Sequence, residues 1–286
     1  MIPLDGGWRF VQDDVNGAQS PETDDSAWRP IDLPHDWGIE GEYRQDHPAG
    51  GVGAYFPGGI GWYRRVIDVV PEWVGKRVFI EFDAAQRNSD VWINGHHLGH
   101  RPYGYISFGY DLSPHLKPGR NVLAVRLDNS KLPAARWYTG SGIYSHVRLI
   151  VTDQVHVPPS GTFVTTPHAS PERGEAEVAT DVVNASADRA VVVLSSQMLD
   201  GDGNEVASSS ARAEVAPGAR ETIRTAGLNV ARPKRWSPES PYLYRLVQQL
   251  TRGDDQVVDE VTTHVGFRTT RFDADTGFWL NGQNIS

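Results

Sequence analysis

From Gly61 onward, apolar and polar positions alternate in short runs broken by turn residues, the pattern of half-buried β-strands. WYRRVIDV (62–69) reads as a strand ended by Pro71. RVFIEFD (77–83) puts Val78, Ile80 and Phe82 on one face. Val91 and Ile93 begin a hairpin. Asn94-Gly95 tolerates positive φ at both turn positions, and His96-His97-Leu98 starts the return strand. In NVLAVRLDN, Leu123, Val125 and Leu127 share a face, as do Val147, Leu149 and Val151 in HVRLIVTD. Residues 1–60 show little period and are rich in Gly, Pro, Asp and aromatics; Asp24-Asp25-Ser26-Ala27-Trp28 suits one short helical turn.

The style changes at Val157-Pro158-Pro159-Ser160-Gly161. About seven simpler strands follow, counting one around Phe163, with turns such as Gly201-Asp202-Gly203 and Pro217-Gly218. Roughly 110 residues of this kind fit an immunoglobulin-like sandwich. Near the end, GFWLNGQNIS carries a second Asn-Gly turn, Asn281-Gly282. A hairpin needs a return strand of several residues, and only Gln283 to Ser286 remain. The expectation is a chain that breaks off where another domain begins.

Composition narrows the classes. A length of 286 residues exceeds one typical domain, so two are expected. The 29 Gly and 19 Pro are spread along the chain, as in an all-β protein with many short strands. A net charge of −9 without a basic stripe argues against nucleic acid. No apolar run approaches the roughly 20 residues that span a bilayer, so no membrane partner is expected. The lack of cysteine removes disulfides, thiolate nucleophiles and cysteine metal sites. MIPLDGGWRF has no charged segment followed by an apolar run, which leaves a cytoplasmic and a periplasmic or secreted location both open.

Several tempting motifs carry little chemistry. Neighbours on a strand point to opposite faces, so His96 and His97 are poorly placed to share an ion; with His100 they read as a hairpin edge, and no metal is expected. GGVGAYFPGGIG (50–61) is not followed by a helix that could hold a phosphate. GSGIY (140–144) lacks the Gly-x-Ser-x-Gly nucleophile pattern. What remains is aromatic and polar crowding in 88–112 and 136–149, where Trp, Tyr, Arg, Asn and Gly mix. Flat rings pack on the C–H face of a pyranose, and forked polar groups bind its hydroxyls.

LPHDW (33–37), PGGIGWYRR (57–65), NSDVWINGHHLG (88–99), RPYGYISFGYDL (101–112) and RWYTGSGIY (136–144) together resemble glycoside hydrolase family 2. That family comprises β-galactosidases, β-glucuronidases and β-mannosidases, and the bacterial β-galactosidase-like members are the nearest in pattern. RWSPESPYLYRL (235–246) and VGFRTTRFDADTGFWLNGQ (265–283) extend the likeness through the second half. The resemblance implies an all-β chain: a jelly-roll, galactose-binding-like sandwich over 1–154, an immunoglobulin-like sandwich over 155–268, and a lead-in over 269–286 to a (β/α)₈ barrel. In the family that barrel bears two catalytic glutamates, about 5–5.5 Å apart in retaining hydrolysis. They fall beyond the position matching Ser286, so no catalytic residue, metal or cofactor is expected here.

The resemblance also implies that first-domain loops help shape the sugar-binding end. By position the substrate-binding candidates are Asp36, Trp37, Arg136, Trp137 and Tyr138. Each has a plainer reading. Asp36 can be a turn carboxylate held by backbone N–H groups, Trp137 a core residue, and Arg136 an internal ion-pair partner. One position departs from the family pattern: Ser145-His146 follows Tyr144 where an Arg is usual, and Arg148 is the guanidinium that can substitute. The implied partners are a carbohydrate, such as a terminal β-galactoside or related sugar, and the chain's own barrel. A stand-alone carbohydrate-binding module and a structural or homo-oligomerisation module are the alternatives. Surface that a barrel would cover should be an exposed aromatic or apolar patch.

Overall fold

The computed structural model describes residues 1–131, 137–253 and 256–285. The chain forms two compact units, Met1–Val151 and Thr152–Ser286. The first contains β1 (Ile2–Pro3), β2 (Trp8–Val11), β3 (Arg29–Ile31), β4 (Gly59–Val69), β5 (Arg77–Phe82), β6 (Ser89–Ile93), β7 (His96–Arg101), β8 (Phe108–Asp111), β9 (Gly119–Asn129) and β10 (Val147–Thr152). One sheet has the order β3-β2-β4-β9-β6-β7 and the other β1-β10-β5-β8. Alternation sends Val91, Ile93, Leu123, Val125 and Leu127 inward from the first sheet. Val78, Ile80, Phe82, Val147 and Leu149 enter the same core from the second. This is the jelly-roll sandwich.

The six-stranded sheet is covered on its outer face too. Residues 12–28 cross it, and Ala18, Trp28, Trp62 and Ala124 form a separate apolar cluster there. Buried Arg64 holds that crossing in place. Its Nε donates to Asp25 (2.7 Å), and its other nitrogens donate to the carbonyls of Ala18, Ser20 and Thr23. Asp24 to Trp28 is not helical. It closes as a turn in which Trp28 N–H donates to Asp25 C=O (3.0 Å), so that Trp28 can turn down onto the sheet. The Asn94-Gly95 turn has φ of 51° and 79°, as the hairpin chemistry demands.

The second unit contains β11 (Val155–His156), β12 (Thr162–Ala169), β13 (Arg173–Asn184), β14 (Ala190–Leu199), β15 (Glu205–Val215), β16 (Arg220–Ala231), β17 (Tyr244–Arg252) and β18 (Gln256–Val265). β13 pairs with β11, β12 and β16, and the facing sheet runs β15-β14-β17-β18. Both sheets are antiparallel, giving an immunoglobulin-like sandwich. Buried Gln248 donates to Thr180 (2.9 Å) and Ser196 (3.0 Å) and accepts from Thr162 (2.8 Å), so its polar end is satisfied inside the core. The chain closes with a meander of β19 (Thr270–Asp273), β20 (Gly277–Leu280) and β21 (Gln283–Ile285). The return strand after Asn281-Gly282 is three residues long and in register, pairing Leu280 with Gln283 and Phe278 with Ile285.

Candidate functional site

Loops 32–58, 102–107 and 137–146 of the first unit converge around Asp36. Asp36 is extended (φ −131°, ψ 102°) and caps the single helical turn α1 (Trp37–Glu40). Its Oδ1 accepts three hydrogen bonds: from Gly38 N–H (2.9 Å), Ser141 N–H (3.0 Å) and the Tyr138 hydroxyl (2.6 Å). No described residue donates to Oδ2. One oxygen is therefore pinned, while the other keeps its accepting capacity in a half-buried carboxylate. Burial first, and then the bond to Asp36, push the Tyr138 phenol far above its ordinary value, so it stays a donor.

Two glycines permit this geometry. A Cβ on Gly38 would stand 2.1 Å from the Tyr138 hydroxyl. One on Gly142 (φ 144°) would stand 2.3 Å from the His35 carbonyl. The close approach lets loop 137–146 lie along 35–37: His35 N–H donates to Ile143 C=O and Trp37 N–H to Ser141 C=O, both at 2.9 Å. Gln86 and Gly142 exchange both backbone bonds, and Asn129 Nδ2 donates to Gly140 C=O (3.0 Å) and Ser141 Oγ (2.8 Å). Residues 140–143 are thereby bonded to 35–37, to Gln86 and to Asn129.

Behind it, buried His35 places Nδ1 2.7 Å from the Tyr63 hydroxyl. Its Nε2 lies 2.6 Å from Arg29 Nη2 and 3.2 Å from Glu40 Oε2. Burial lowers the His35 pKa, against the upward pull of Glu40. A neutral imidazole in a network with Tyr63, Arg29 and Glu40 positions the loop; it does not reach the open surface.

Aromatic rings surround Asp36. Tyr43 packs on Phe56 (4.5 Å between centroids) and Phe56 on Tyr138 (4.7 Å). On the other side, Tyr103 meets Tyr105 (5.6 Å), which meets Tyr144 (6.0 Å). The Tyr105 hydroxyl donates to Thr139 C=O (2.7 Å) and that of Tyr144 to Gly104 C=O (2.8 Å), tying the loops together. Tyr43 is 70% exposed, Tyr103 56% and Trp137 67%. The surface combines rigid rings with a fixed carboxylate, which suits a polyhydroxylated ring.

The five sequence candidates part company here. Asp36 and Tyr138 meet at this surface, and Trp137 precedes Tyr138 in the same loop. Trp137 is exposed, against the plainer reading of it as core. Trp37 is not at the surface. It is 2% exposed, stacks on Phe10 (5.7 Å, 23° between planes) and donates Nε1–H to Gly58 C=O (3.3 Å). With its ring inside the core, Trp37 supports the loop and offers no platform to a sugar. Arg136 lies outside the described residues. Tyr43, Phe56 and Tyr105 join the surface as well, and their one signal in the sequence is an aromatic residue inside a Gly/Pro-rich loop. Arg148 does form ion pairs, donating to Glu81 (3.0 Å) and Asp83, while His146 lies 2.8 Å from Asp5.

The hairpin histidines also depart from the simple face rule. A bulge between Val91 and Trp92 shifts the register, so that His97 (2.8 Å) and His100 (3.0 Å) both reach the Asp90 carboxylate. His96 stacks on His115 instead (3.6 Å). Among the described residues, no three His, Asp or Glu side chains are grouped to hold a metal.

A jelly roll with a sugar-suited loop end, followed by an immunoglobulin-like sandwich, defines the chain as a domain pair of a carbohydrate-active enzyme. The family model "Glycosyl hydrolases family 2, sugar binding domain" matches residues 1–153, and "Glycosyl hydrolases family 2" matches 155–268. A β-galactosidase of Bacteroides ovatus, BoGH2A, is 45% identical over 96% of the chain and 32% of its own length. A putative β-glucuronidase of Formosa agariphila is 40% identical over 99% of the chain and 26% of its own length. A solved glycosyl hydrolase family 2 member from Bacteroides cellulosilyticus superposes with a TM-score of 0.92 at 34% identity, covering 99% of this chain and 37% of that one. The chain belongs to glycosyl hydrolase family 2. It corresponds to the non-catalytic N-terminal domains of such enzymes and spans about a third or less of the length of these relatives.

Proposed function

We propose that the Asp36 surface forms one wall of the substrate site of a family 2 β-glycosidase, with a terminal β-galactoside as the substrate class. In the whole protein, residues 1–154 and 155–268 act as the two non-catalytic domains, and 269–286 leads into a (β/α)₈ barrel carrying the catalytic glutamates. The length of the relatives supports that continuation. Asp36, Trp137 and Tyr138, with Arg136 beside them in sequence, shape the end of the site that holds the sugar. The observation that carries this reading is the divided carboxylate of Asp36. Three donors fix Oδ1, and Oδ2 stays available to accept sugar hydroxyls in charge-assisted bonds. The name of the Bacteroides ovatus relative favours galactoside among the sugars.

Asp36→Asn tests it in the protein joined to its barrel. Asparagine keeps an acceptor for the three pinned bonds but turns the free oxygen into a donor. A hydrogen bond to a charged group contributes about 1.5–3 kcal/mol, so kcat/KM on an aryl β-galactoside should fall about 10- to 100-fold with the melting temperature nearly unchanged. Unchanged kinetics would remove Asp36 from the site. Quenching of tryptophan fluorescence by galactosides in the present chain alone would favour the stand-alone binding module instead.

A further inference from the structure

We infer that the outer face of the six-stranded sheet carries a second saccharide site, selective for a sugar that bears a carboxylate or sulfate group. It does not depend on the Asp36 reading. Along β6 and β9, Val91, Val125 and Leu127 point into the core, which turns Asp90, Arg126 and Asp128 outward. Pairing aligns them: Asp90 faces Arg126 on one side and His100 on the other. With Arg87, Asn88 and Lys131 they line a cavity of about 400 Å³, room for one or two sugar rings.

The hydrogen bonding in this cavity is lopsided. Both Asp90 oxygens are engaged, by His97 and His100. Asp128 Oδ1 accepts from Ser130 N–H (3.0 Å) and Oγ–H (2.6 Å). The donors are less occupied. Arg126 gives Nε and Nη2 to Asp14 (2.9 and 3.0 Å), and its Nη1 is 3.6 Å from Asp128, too long for a hydrogen bond. Arg87 Nη2 donates to the Lys131 carbonyl, while its buried Nε has no acceptor among the described residues. No described carboxylate pairs with Arg87 or with the exposed Lys131.

N–H groups on two guanidiniums and an ammonium that meet no hydrogen-bond acceptor among the described residues call for an acceptor-rich ligand. A planar carboxylate or a sulfate accepts from such forks in pairs. The Asp128 Oδ2 and Asn88 side chains standing beside them suit the hydroxyls of a ring carrying that anion. A bare anion would leave them unused. Carboxylate and sulfate sugars share this chemistry, and the experiment separates them.

The test is calorimetric titration of this chain at low salt with methyl β-glucuronide, galactose 6-sulfate, methyl β-galactoside and inorganic sulfate. At least one acidic sugar should bind about tenfold or more tighter than the neutral sugar and than inorganic sulfate. Which of the two binds identifies the anion. Lys131→Ala, at an exposed position, and Arg87→Gln should each weaken that binding severalfold, and Asp36→Asn should leave it unchanged. The inference is overturned if neutral and acidic sugars bind alike, if inorganic sulfate binds as well as the sugar, or if no acidic sugar binds at about 10 mM, a concentration worth only about 2.7 kcal/mol. Loss of binding in Asp36→Asn with retention in Lys131→Ala and Arg87→Gln also overturns it, because the sugar would then sit at the loop surface.

Discussion

Arg64→Met lowers the stability of the first domain by about 3–5 kcal/mol, the range for removing one partner of a buried ion pair. The side chain is 1% exposed, on the outer face of β4 beneath residues 12–28. Methionine fills a similar length but donates nothing. Asp25 then loses its bond at 2.7 Å, and the carbonyls of Ala18, Ser20 and Thr23 lose their shared donor. Because Asp25 is 25% exposed, water repays part of the loss, which favours the lower end of the range. At about 2–4 °C per kcal/mol for a domain of this size, the melting temperature should fall by roughly 10 °C. Emission from Trp28 and Trp62 should shift to the red as the crossing segment loosens. A fall of only a degree or two, about the effect of an ordinary surface substitution, would mean that the apolar cluster alone holds the segment.

Trp37→Ala should cost about as much, 3–5 kcal/mol, by emptying a volume that Phe10 and Tyr63 cannot fill. Trp37→Phe should retain most of the stability, losing the indole bond to Gly58 and some contact area. The pair of variants separates two roles that sequence position confounds. A sugar platform would leave the melting temperature alone and lower only the affinity for substrate. A core residue supporting α1 would lower the melting temperature first, and any kinetic loss would follow the displacement of Asp36. Chemical denaturation of both variants decides it: a Trp37→Ala chain as stable as the parent contradicts the packing role.

The strands were legible because burial on one face imposes a period of two on the sequence. Val78, Ile80 and Phe82, or Leu123, Val125 and Leu127, follow it and are buried in the core. Loops impose no such period. Asp36, Trp37 and Trp137 all stand in turn-rich sequence, and nothing local distinguishes the ring that is buried from the ring that is exposed. Two of the three donors that fix Asp36 come from Tyr138 and Ser141, 102 and 105 residues away, so the division of its two oxygens could not be read from neighbours in the chain. Oδ1 is the turn acceptor, and Oδ2, which accepts from no described residue, is the oxygen on which the proposed sugar contact rests. The Asp90 pairing was hidden for another reason, since a single bulge cancels the rule that separates strand faces. The short helical turn fell at α1 and not at 24–28, because Asp36 supplies a cap while Arg64 draws 18–25 into a carbonyl-lined turn.

The most direct measurement is a structure of the protein joined to the proposed (β/α)₈ barrel, bound to a non-hydrolysable terminal β-galactoside. A sugar hydroxyl should donate to Asp36 Oδ2 at about 2.6–2.7 Å, the length of a charge-assisted O–H···O⁻ bond, with Trp137 or Tyr138 lining the same end. A sugar held in the barrel with no atom of residues 36 or 137–141 within van der Waals contact would contradict it.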